Sequence, residues 1–443
     1  MKDEGLIRAV GVRGLGAGIV NYTIGAGIFV LPALVAAKVG AAAPVVYVIC
    51  AIAMGLIVAC FADAGSRVSL SGGTYAYAEV AFGKYVGFMV AVSLWMSMIL
   101  ASAAVAVIFV DSLGQIVPAL QSSLARNAII IALYLLLVLI NIRGVKIGSG
   151  VVQTVTLGKL IPIFILLAFG AFAIKPSNLT WPGMPSASDT ARTTVILIFA
   201  FMGVESALTP SGEVKNPART VPRAIFIAII FTTLIYIALQ IIAQGILGAE
   251  LATNTKAPLA EAARRVLGRG GETLVLLGAA ISTLGYIAGD MLAAPRMPYA
   301  LARDRLLPNF LSSIHERYRT PHVAIIAHAF LCALLAVTGT FGLLAVLVVL
   351  LTLLVYLGCC LATIELQRRD VRAEGAVPFR VPGGPIIPIL ASAIIIWLMS
   401  SSTRQEFLSL GAMMVVSTVI FFAMRLATRP SAPPQPDISA SPP

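Results

Sequence analysis

The stretch GAGIVNYTIGAGIFVLP, from Gly16 to Pro32, is apolar enough to enter a bilayer, yet it contains four glycines. A helix in lipid must satisfy its backbone N–H and C=O groups internally, so a broken centre is tolerated only beside a polar cavity or ligand. Glycine costs about 1 kcal/mol relative to alanine in a helix interior, which favours unwinding at Gly25-Ala26-Gly27. The freed backbone groups and half-helix dipoles can bind a charged solute. The alternative is close helix packing through small residues.

The composition predicts a membrane protein. The 443 residues are 59% hydrophobic and only 11% charged, whereas soluble domains carry about 25% charged residues. Charge-free runs long enough to span a bilayer recur along the chain: Val39–Ala62, Tyr85–Val110, Ala224–Ala249, Thr320–Ile364, Val381–Thr403 and Phe407–Met424. The run from Thr320 is too long for one helix, and Thr338-Gly339-Thr340 predicts a turn inside it. With interrupted runs included, we predict an all-α fold of twelve transmembrane helices.

The net charge of +12 reports topology rather than a nucleic-acid partner. Most of the 31 lysines and arginines fall on one side when the predicted helices alternate across the bilayer. This is the positive-inside pattern, and it predicts a multi-pass protein of the plasma (inner) membrane with both termini cytoplasmic. The first residues show no secretory cleavage site. Residues 429–443 are rich in Pro and Ser and are predicted to be disordered. The sequence does not indicate an oligomeric state.

The reactive side chains do not form a pattern typical of an enzyme. All five cysteines lie inside apolar runs, where a small buried side chain is the usual role, so we predict neither disulfides nor a metal site. The three histidines lack HExxH spacing. We therefore expect no cofactor and no catalytic residues. A receptor is also disfavoured because no soluble sensory domain is attached.

A second broken segment matches the first. The span near Thr193–Pro210 is interrupted around Phe201–Ser206, and it opens a second set of five spans, as the Gly16 stretch opens the first. Paired glycine-interrupted segments at corresponding places in two halves are the best sequence indication of a transporter's central site. Their presence favours the binding interpretation of the first break over helix packing.

Four separated motifs then resemble one family, the amino acid–polyamine–organocation superfamily of permeases. They are IGAGIFVLP (Ile24–Pro32), SGGTYAYAEVAFGKYVGF (Ser71–Phe88), FAFMGVESALTPSGEVKNPARTVPRAI (Phe199–Ile225) and APRMPYALARDRLLP (Ala294–Pro308). The resemblance implies a LeuT-type fold of 5+5 inverted repeats with helices 1 and 6 broken. The repeats would cover residues 14–174 and 193–365, with peripheral helices 11 and 12 in 381–427. It also implies secondary transport of amino acids or related amines by alternating access.

A zwitterionic substrate needs N–H donors for its carboxylate and oxygen acceptors for its ammonium. Unwound backbone at Ile24–Gly27 can supply the donors, and carbonyls near Phe199–Met202 can supply the acceptors, the same roles that the family pattern assigns. Phe199 or Phe201 can close over the substrate as an aromatic lid, although packing alone accounts for either ring. The predicted substrate-binding residues are Ile24, Gly25, Ala26, Gly27, Phe199, Phe201, Gly203, Ser102 and Asp290.

Lys159 lies within a predicted span, between uncharged neighbours. A lysine at the bilayer centre costs about 2.5–3.5 kcal/mol, so it should face a partner or a cavity. Burial disfavours its charged form, which would let it bind and release a proton during transport. In similar permeases a lysine here takes the place of a sodium ion, so the resemblance suggests sodium-independent transport. The alternatives are a permanent cation that clamps two spans together and a side chain that snorkels to the interface.

Four further side chains have two possible roles each. Glu205 follows the second break and can act in proton sensing or gating, or hold the break open through backbone hydrogen bonds. Asp290 can face a cationic substrate or pair with Lys159, and pairing is favoured because it cancels two buried charges. Tyr356 and Ser102 are weaker candidates for the gate and the pocket wall, where ordinary packing is the alternative.

The sequence thus predicts proton-coupled uptake of a neutral amino acid. The alternatives are exchange of one amino acid or amine for another, and a permease for cationic amino acids or polyamines. The expected partners are a small amino-bearing substrate, a proton and the lipid bilayer.

Overall fold

The structure is a computed structural model that describes residues 11–25, 27–68, 73–143, 145–180, 183–208, 214–254, 257–372, 377–381 and 383–427. Ala26 and the predicted disordered tail 429–443 lie outside these ranges. Within them, sixteen α-helices are found: α1 Val12–Thr23, α2 Gly27–Val39, α3 Ala43–Arg67, α4 Thr74–Phe82, α5 Lys84–Ile116, α6 Ser123–Arg143, α7 Val145–Gly170, α8 Ala187–Phe201, α9 Val204–Ala207, α10 Pro217–Leu247, α11 Pro258–Ala293, α12 Arg296–Arg303, α13 His322–Thr338, α14 Phe341–Arg368, α15 Ile386–Ser400 and α16 Arg404–Ala427.

The fold is that of a multi-pass membrane protein. In the part of the chain that the structure describes, eight helical segments are long and apolar enough to cross a bilayer, and three apolar helices are shorter. Helices satisfy their own backbone groups, which lipid cannot do. The outer helices also expose large apolar side chains, such as Leu135 on α6 and Val415 on α16. The predicted all-α membrane class is confirmed.

Several predicted helix boundaries agree with the structure. The chain leaves helical geometry between α1 and α2 and again between α8 and α9, as the two glycine-rich segments predicted. The long apolar run from Thr320 divides where the turn was predicted, since α13 ends at Thr338 and α14 begins at Phe341. Gly268, with φ of +68°, interrupts the helical geometry inside α11.

The core forms around α5, which buries nearly its whole length. It packs along α11 and α14, while α7 packs along α11 and α3 packs along α10. The broken helices lie in this packing, because α1 contacts α10 and α9, and α2 contacts α8. Both breaks are therefore surrounded by protein, where irregular backbone can find hydrogen-bond partners.

A buried ion pair anchors the loop that follows α14. Arg67 is 1% exposed and donates to Asp63 at 2.5 Å. The second oxygen of Asp63 accepts from the Gln367 side chain at 2.9 Å and from the Val381 N–H at 3.1 Å. Arg67 also donates to the Val371 carbonyl at 3.1 Å. These bonds join the end of α3 to the segment between α14 and α15.

Candidate functional site

The first helix break lies between α1 and α2. α1 ends at Thr23, and the Ile24 N–H still donates to the Val20 carbonyl at 2.8 Å. The Gly25 N–H donates to the Thr23 carbonyl at 2.8 Å, and α2 begins at Gly27. Ile24 is fully buried. Of the four residues predicted at this break, three lie in it, and Ala26 is the one outside the described residues.

The second break depends on a glycine. Met202 is extended, and Gly203 follows with φ of +121°, a conformation that other L-residues rarely adopt. The Gly203 N–H donates to both oxygens of Glu205, at 3.0 and 3.1 Å. Tyr356 donates its hydroxyl to the same carboxylate at 2.8 Å. This is the arrangement expected of a carboxylate that holds the break open, the second of the two roles considered for Glu205.

The two breaks touch each other. A Cβ atom added at Gly203 would lie 2.7 Å from the Cβ of Tyr22 and 3.1 Å from the backbone nitrogen of Thr23. Carbon atoms in contact normally stay about 3.5–4.0 Å apart. Gly203 is therefore required by the close approach as well as by its own conformation.

One tyrosine that sequence reasoning missed connects the two breaks. The Tyr236 hydroxyl on α10 lies 2.6 Å from the Thr23 carbonyl and 2.8 Å from the Ala200 carbonyl. The Thr23 carbonyl lies at the end of α1, and the Ala200 carbonyl lies near the end of α8. A hydroxyl in the middle of an apolar span must find an acceptor, so Tyr236 could have been selected on that ground. Ser282 of α11 was also missed, and it donates to the Gly25 carbonyl at 3.3 Å.

Lys159 of α7 is bound to the first break. It is 1% exposed, and its ammonium donates to the Asn21 carbonyl and side chain at 2.5 Å each and to the Ile24 carbonyl at 2.8 Å. Three protons therefore meet three oxygens. The carbonyl end of α1 carries partial negative charge, which stabilises a cation there.

The predicted pairing of Lys159 with Asp290 is wrong. Asp290 accepts instead from His328 of α13 at 2.9 Å. The physical reason is helix register: Ser282 is the α11 residue that reaches the break, and Asp290 lies eight residues further on, about 12 Å along the helix. A pair between Lys159 and Asp290 would have cancelled two buried charges. Instead, the carbonyls at the end of α1 stabilise the Lys159 ammonium without a carboxylate.

A small cavity lies between the breaks. Its lining residues are Tyr22, Thr23, Gly25, Gly27, Ala101, Val105, Phe199, Met202 and Tyr286. Phe199 packs directly on the first break, since a Cβ added at Gly27 would lie 3.1 Å from its ring. Among the described residues, the lining carries no charged side chain.

Five of the described residues that were predicted to bind substrate do not line this cavity: Ile24, Gly203, Phe201, Ser102 and Asp290. Phe201 is buried against Tyr236, with the ring centroids 5.2 Å apart. It lies about 200° around the helix from Phe199 and so faces the other way. Ser102, one residue past Ala101, shares a hydrogen bond with Tyr134 at 3.1 Å. Asp290 is bound to His328.

The ligand atoms of Asp290, His328 and Cys332 lie within 4.8 Å of one another, a spacing that a metal ion could use. Trp95 opposes this, because its indole N–H donates to His328 Nδ1 at 3.2 Å. A metal on Nε2 requires a proton on Nδ1, and a metal-bound histidine normally donates that proton to an acceptor. Here Nδ1 faces a donor, so the cluster does not suit a metal.

Comparisons with known proteins found matches over nearly the whole chain. The family model described as "Amino acid permease" matches residues 12–427. A methylthioribose transporter of Bacillus subtilis is 26% identical, over 95% of this chain and 94% of the relative. The serine/threonine exchanger SteT of the same organism is 28% identical over 96% and 98%. The branched-chain amino acid permease BcaP, also from B. subtilis, is 26% identical over 95% and 93%.

Proposed function

Because this chain belongs to the amino acid permease family, we propose that it takes up a neutral amino acid by alternating access, coupled to protons and independent of sodium. The observation that carries the proposal is Lys159. Its ammonium fills three oxygen acceptors at the first helix break, which is the kind of site that would otherwise suit a cation. A lysine there supplies the positive charge from the protein and can exchange a proton as its surroundings change.

The two breaks provide matching groups for a zwitterion. The N–H groups at the start of α2 face the substrate carboxylate, aided by the positive end of that half-helix. The Ala200 and Thr23 carbonyls, which the Tyr236 hydroxyl now occupies, can receive the ammonium. The side chain of the substrate then enters a cavity walled by Tyr22, Phe199 and Tyr286. A neutral substrate is favoured because no charged group is found among the described residues that line the cavity, and Asp290 is bound to His328.

The proposal includes the arrangement in the membrane. Twelve spans form two inverted repeats in residues 14–174 and 193–365, and residues 381–427 add two peripheral spans. The protein lies in the inner membrane with both termini in the cytoplasm. Support comes from the two breaks, which open the two repeats and meet at Gly203, and from the positive-inside charge distribution.

Exchange is the second candidate function. The observation in its favour is the similarity to a serine/threonine exchanger over nearly the whole chain. A permease for cationic amino acids or polyamines has less support, since the buried carboxylate of Asp290 already has a histidine partner.

The experiment is uptake into proteoliposomes that contain the purified protein. Radiolabelled serine, leucine, lysine, glutamate and putrescine are offered in sodium-free buffer, with a pH gradient or with unlabelled substrate inside. A symporter responds to the pH gradient in empty vesicles, whereas an exchanger requires internal substrate. Uptake that needs sodium, or that favours lysine or putrescine, contradicts the proposal.

Lys159→Ala is the matched variant for these vesicles. It should abolish uptake or make it independent of the pH gradient, because the acceptors of Asn21 and Ile24 lose their cation. Arg264→Ala is the control, since that side chain is 49% exposed and far from the breaks in sequence. Unchanged pH-driven uptake by Lys159→Ala would remove the lysine from the coupling mechanism.

A further inference from the structure

One turn of α11 packs against the helix that carries Lys159. Gly278 of α11 is buried, and a Cβ atom added there would lie 2.2 Å from the Cγ and 3.0 Å from the Cβ of Pro162 on α7. Ile281 lies three residues further on, and its side chain is 3.6 Å from the position of a Cβ atom on Gly158. Residues three apart are neighbours on one face of a helix. This face of α11 therefore contacts α7 on both sides of Lys159 in the chain.

The same turn of α11 also contacts the first helix break. Ser282 follows Ile281 and donates its hydroxyl to the Gly25 carbonyl at 3.3 Å. The Lys159 ammonium donates to the Ile24 carbonyl, one residue earlier, at 2.8 Å. α11 thus lies against the helix that carries the lysine and against the backbone that the lysine binds. Its packing fixes the distance between the two.

Pro162 makes this support necessary. A proline inside a helix has no N–H to donate to the carbonyl four residues earlier, which here is that of Gly158. The turn from Gly158 to Pro162 includes Lys159, so this part of α7 has one hydrogen bond fewer than an ordinary helical turn. The position of the lysine therefore depends more on the contacts with α11. The Pro162 ring is closed onto the backbone and cannot rotate away from a new atom.

From these contacts we infer that Gly278 is a positioning residue for Lys159. Without a side chain at Gly278, the Pro162 ring packs directly on α11, which keeps the ammonium within reach of Asn21 and Ile24. Carbon atoms in contact stay at least about 3.5 Å apart, so a methyl group at 2.2 Å would push the two helices apart by about 1.3 Å. Since N–H···O bonds rarely exceed about 3.2 Å, a shift of that size releases the ammonium.

The consequence for transport rests on the coupling role proposed above for Lys159, whereas the position of the lysine does not. The test therefore begins with the reactivity of the Lys159 amine in the purified full-length protein. A membrane-permeant anhydride acylates lysine amines, and mass spectrometry of the peptide that contains Lys159 gives the labelling rate. The wild-type amine should react slowly because it is 1% exposed and hydrogen-bonded. Gly278→Ala should raise the rate about tenfold or more, as expected from the cost of overpacking.

Pro162→Ala combined with Gly278→Ala is the matched rescue. Without the ring, the closest approach becomes the 3.0 Å between the two β-carbons, and the required shift falls to about 0.5 Å. The labelling rate should return close to the wild-type value. Gly270→Ala is the control on the same helix, since a Cβ atom there meets nothing within 4 Å, and it should react like the wild type. Ile281→Ala adds no bulk and removes the contact with Gly158, so it should also raise the rate.

Uptake into proteoliposomes is measured on the same variants with and without a pH gradient. A loss of folded protein lowers both uptakes by the same factor and leaves their ratio unchanged. A displaced Lys159 should lower the ratio of uptake with the gradient to uptake without it. The double variant should restore that ratio.

Three results overturn the inference: Gly278→Ala labels like the wild type, Gly270→Ala labels as fast as Gly278→Ala, or the double variant labels as fast as the single one. If Gly278→Ala does not fold, an Ile281→Ala rate equal to that of the wild type overturns it instead. The expected labelling pattern in a protein without any uptake supports the positioning role and refutes the transport function. Proton-driven uptake by a wild type whose labelling does not respond to Gly278→Ala does the reverse.

Discussion

Replacing Gly203 by alanine tests the contact between the two helix breaks. The wild-type residue has φ of +121° and ψ of −17°, which an alanine adopts only under strain. The new methyl carbon would lie 2.7 Å from the Cβ of Tyr22 and 2.9 Å from its backbone carbon. The second neighbour is main chain and cannot rotate away, so relief requires the two spans to separate.

The expected cost comes from two sources. A residue held in a sparsely populated backbone conformation costs about 1–3 kcal/mol. Forcing an extra methyl group into a packed site costs about 1–3 kcal/mol more. The two costs add up to at least about 2 kcal/mol. Since about 1.4 kcal/mol corresponds to a factor of ten, the population of molecules in which the two breaks are in contact should fall more than tenfold. We therefore expect a lower melting temperature and a loss of uptake of at least tenfold.

The assay is thermal unfolding of the purified protein in detergent, with uptake into proteoliposomes as the functional measurement. Gly18→Ala is the matched control. It lies in α1 close to the same break, but a Cβ atom there meets nothing within 4 Å. We expect this variant to keep its stability and its uptake. A Gly203→Ala protein that melts and transports like Gly18→Ala would refute the described contact between the breaks.

Two further substitutions test single interactions. Tyr236→Phe keeps the ring and removes the hydroxyl that serves two buried carbonyls, so it should lose about 1–3 kcal/mol of stability and reduce uptake. If Tyr236→Phe melts and takes up substrate like the wild type, the two carbonyls do not need the hydroxyl. Asp63→Asn leaves the buried guanidinium of Arg67 with only the half-exposed carboxylate of Asp370, 3.9 Å away, as an anion, and should destabilise by about 3–5 kcal/mol. Glu261→Gln, in a partly exposed ion pair, should cost less than about 1 kcal/mol. Thermal unfolding measures the stability of Asp63→Asn and of Glu261→Gln. Equal losses of stability would contradict the argument that burial makes the first ion pair matter more.

Much of the fold follows from local sequence features. Apolar runs predicted the spans, because a bilayer accepts only segments that satisfy their own backbone. Glycines predicted both interruptions, four of them at the first and Gly203 at the second, and the turn at Gly339 was found within an otherwise unbroken apolar run. Each of these signals lies within about twenty consecutive residues.

The direction in which a side chain points is harder to predict from the sequence. Phe199 and Phe201 were equally good candidates for the aromatic lid, since both lie in the same short segment. The structure places Phe199 on the cavity and Phe201 against Tyr236. Which of them faces the cavity depends on the rotation of α8 relative to α2. That rotation is set by the packing of the whole bundle, which no single short stretch of sequence determines.

The order of residues alone determined that this is an α-helical membrane protein with two glycine-broken spans and one lysine that needs a buried partner. Only the tertiary structure decided the partners: backbone oxygens of α1 for Lys159, His328 for Asp290, and both breaks for Tyr236. The physical reason is distance. Helix formation and its interruption depend on neighbours along the chain. A buried charge is stabilised by atoms of other helices, 135 residues away for Lys159 and Ile24 and 38 for Asp290 and His328. The register of those helices follows from how the whole bundle packs.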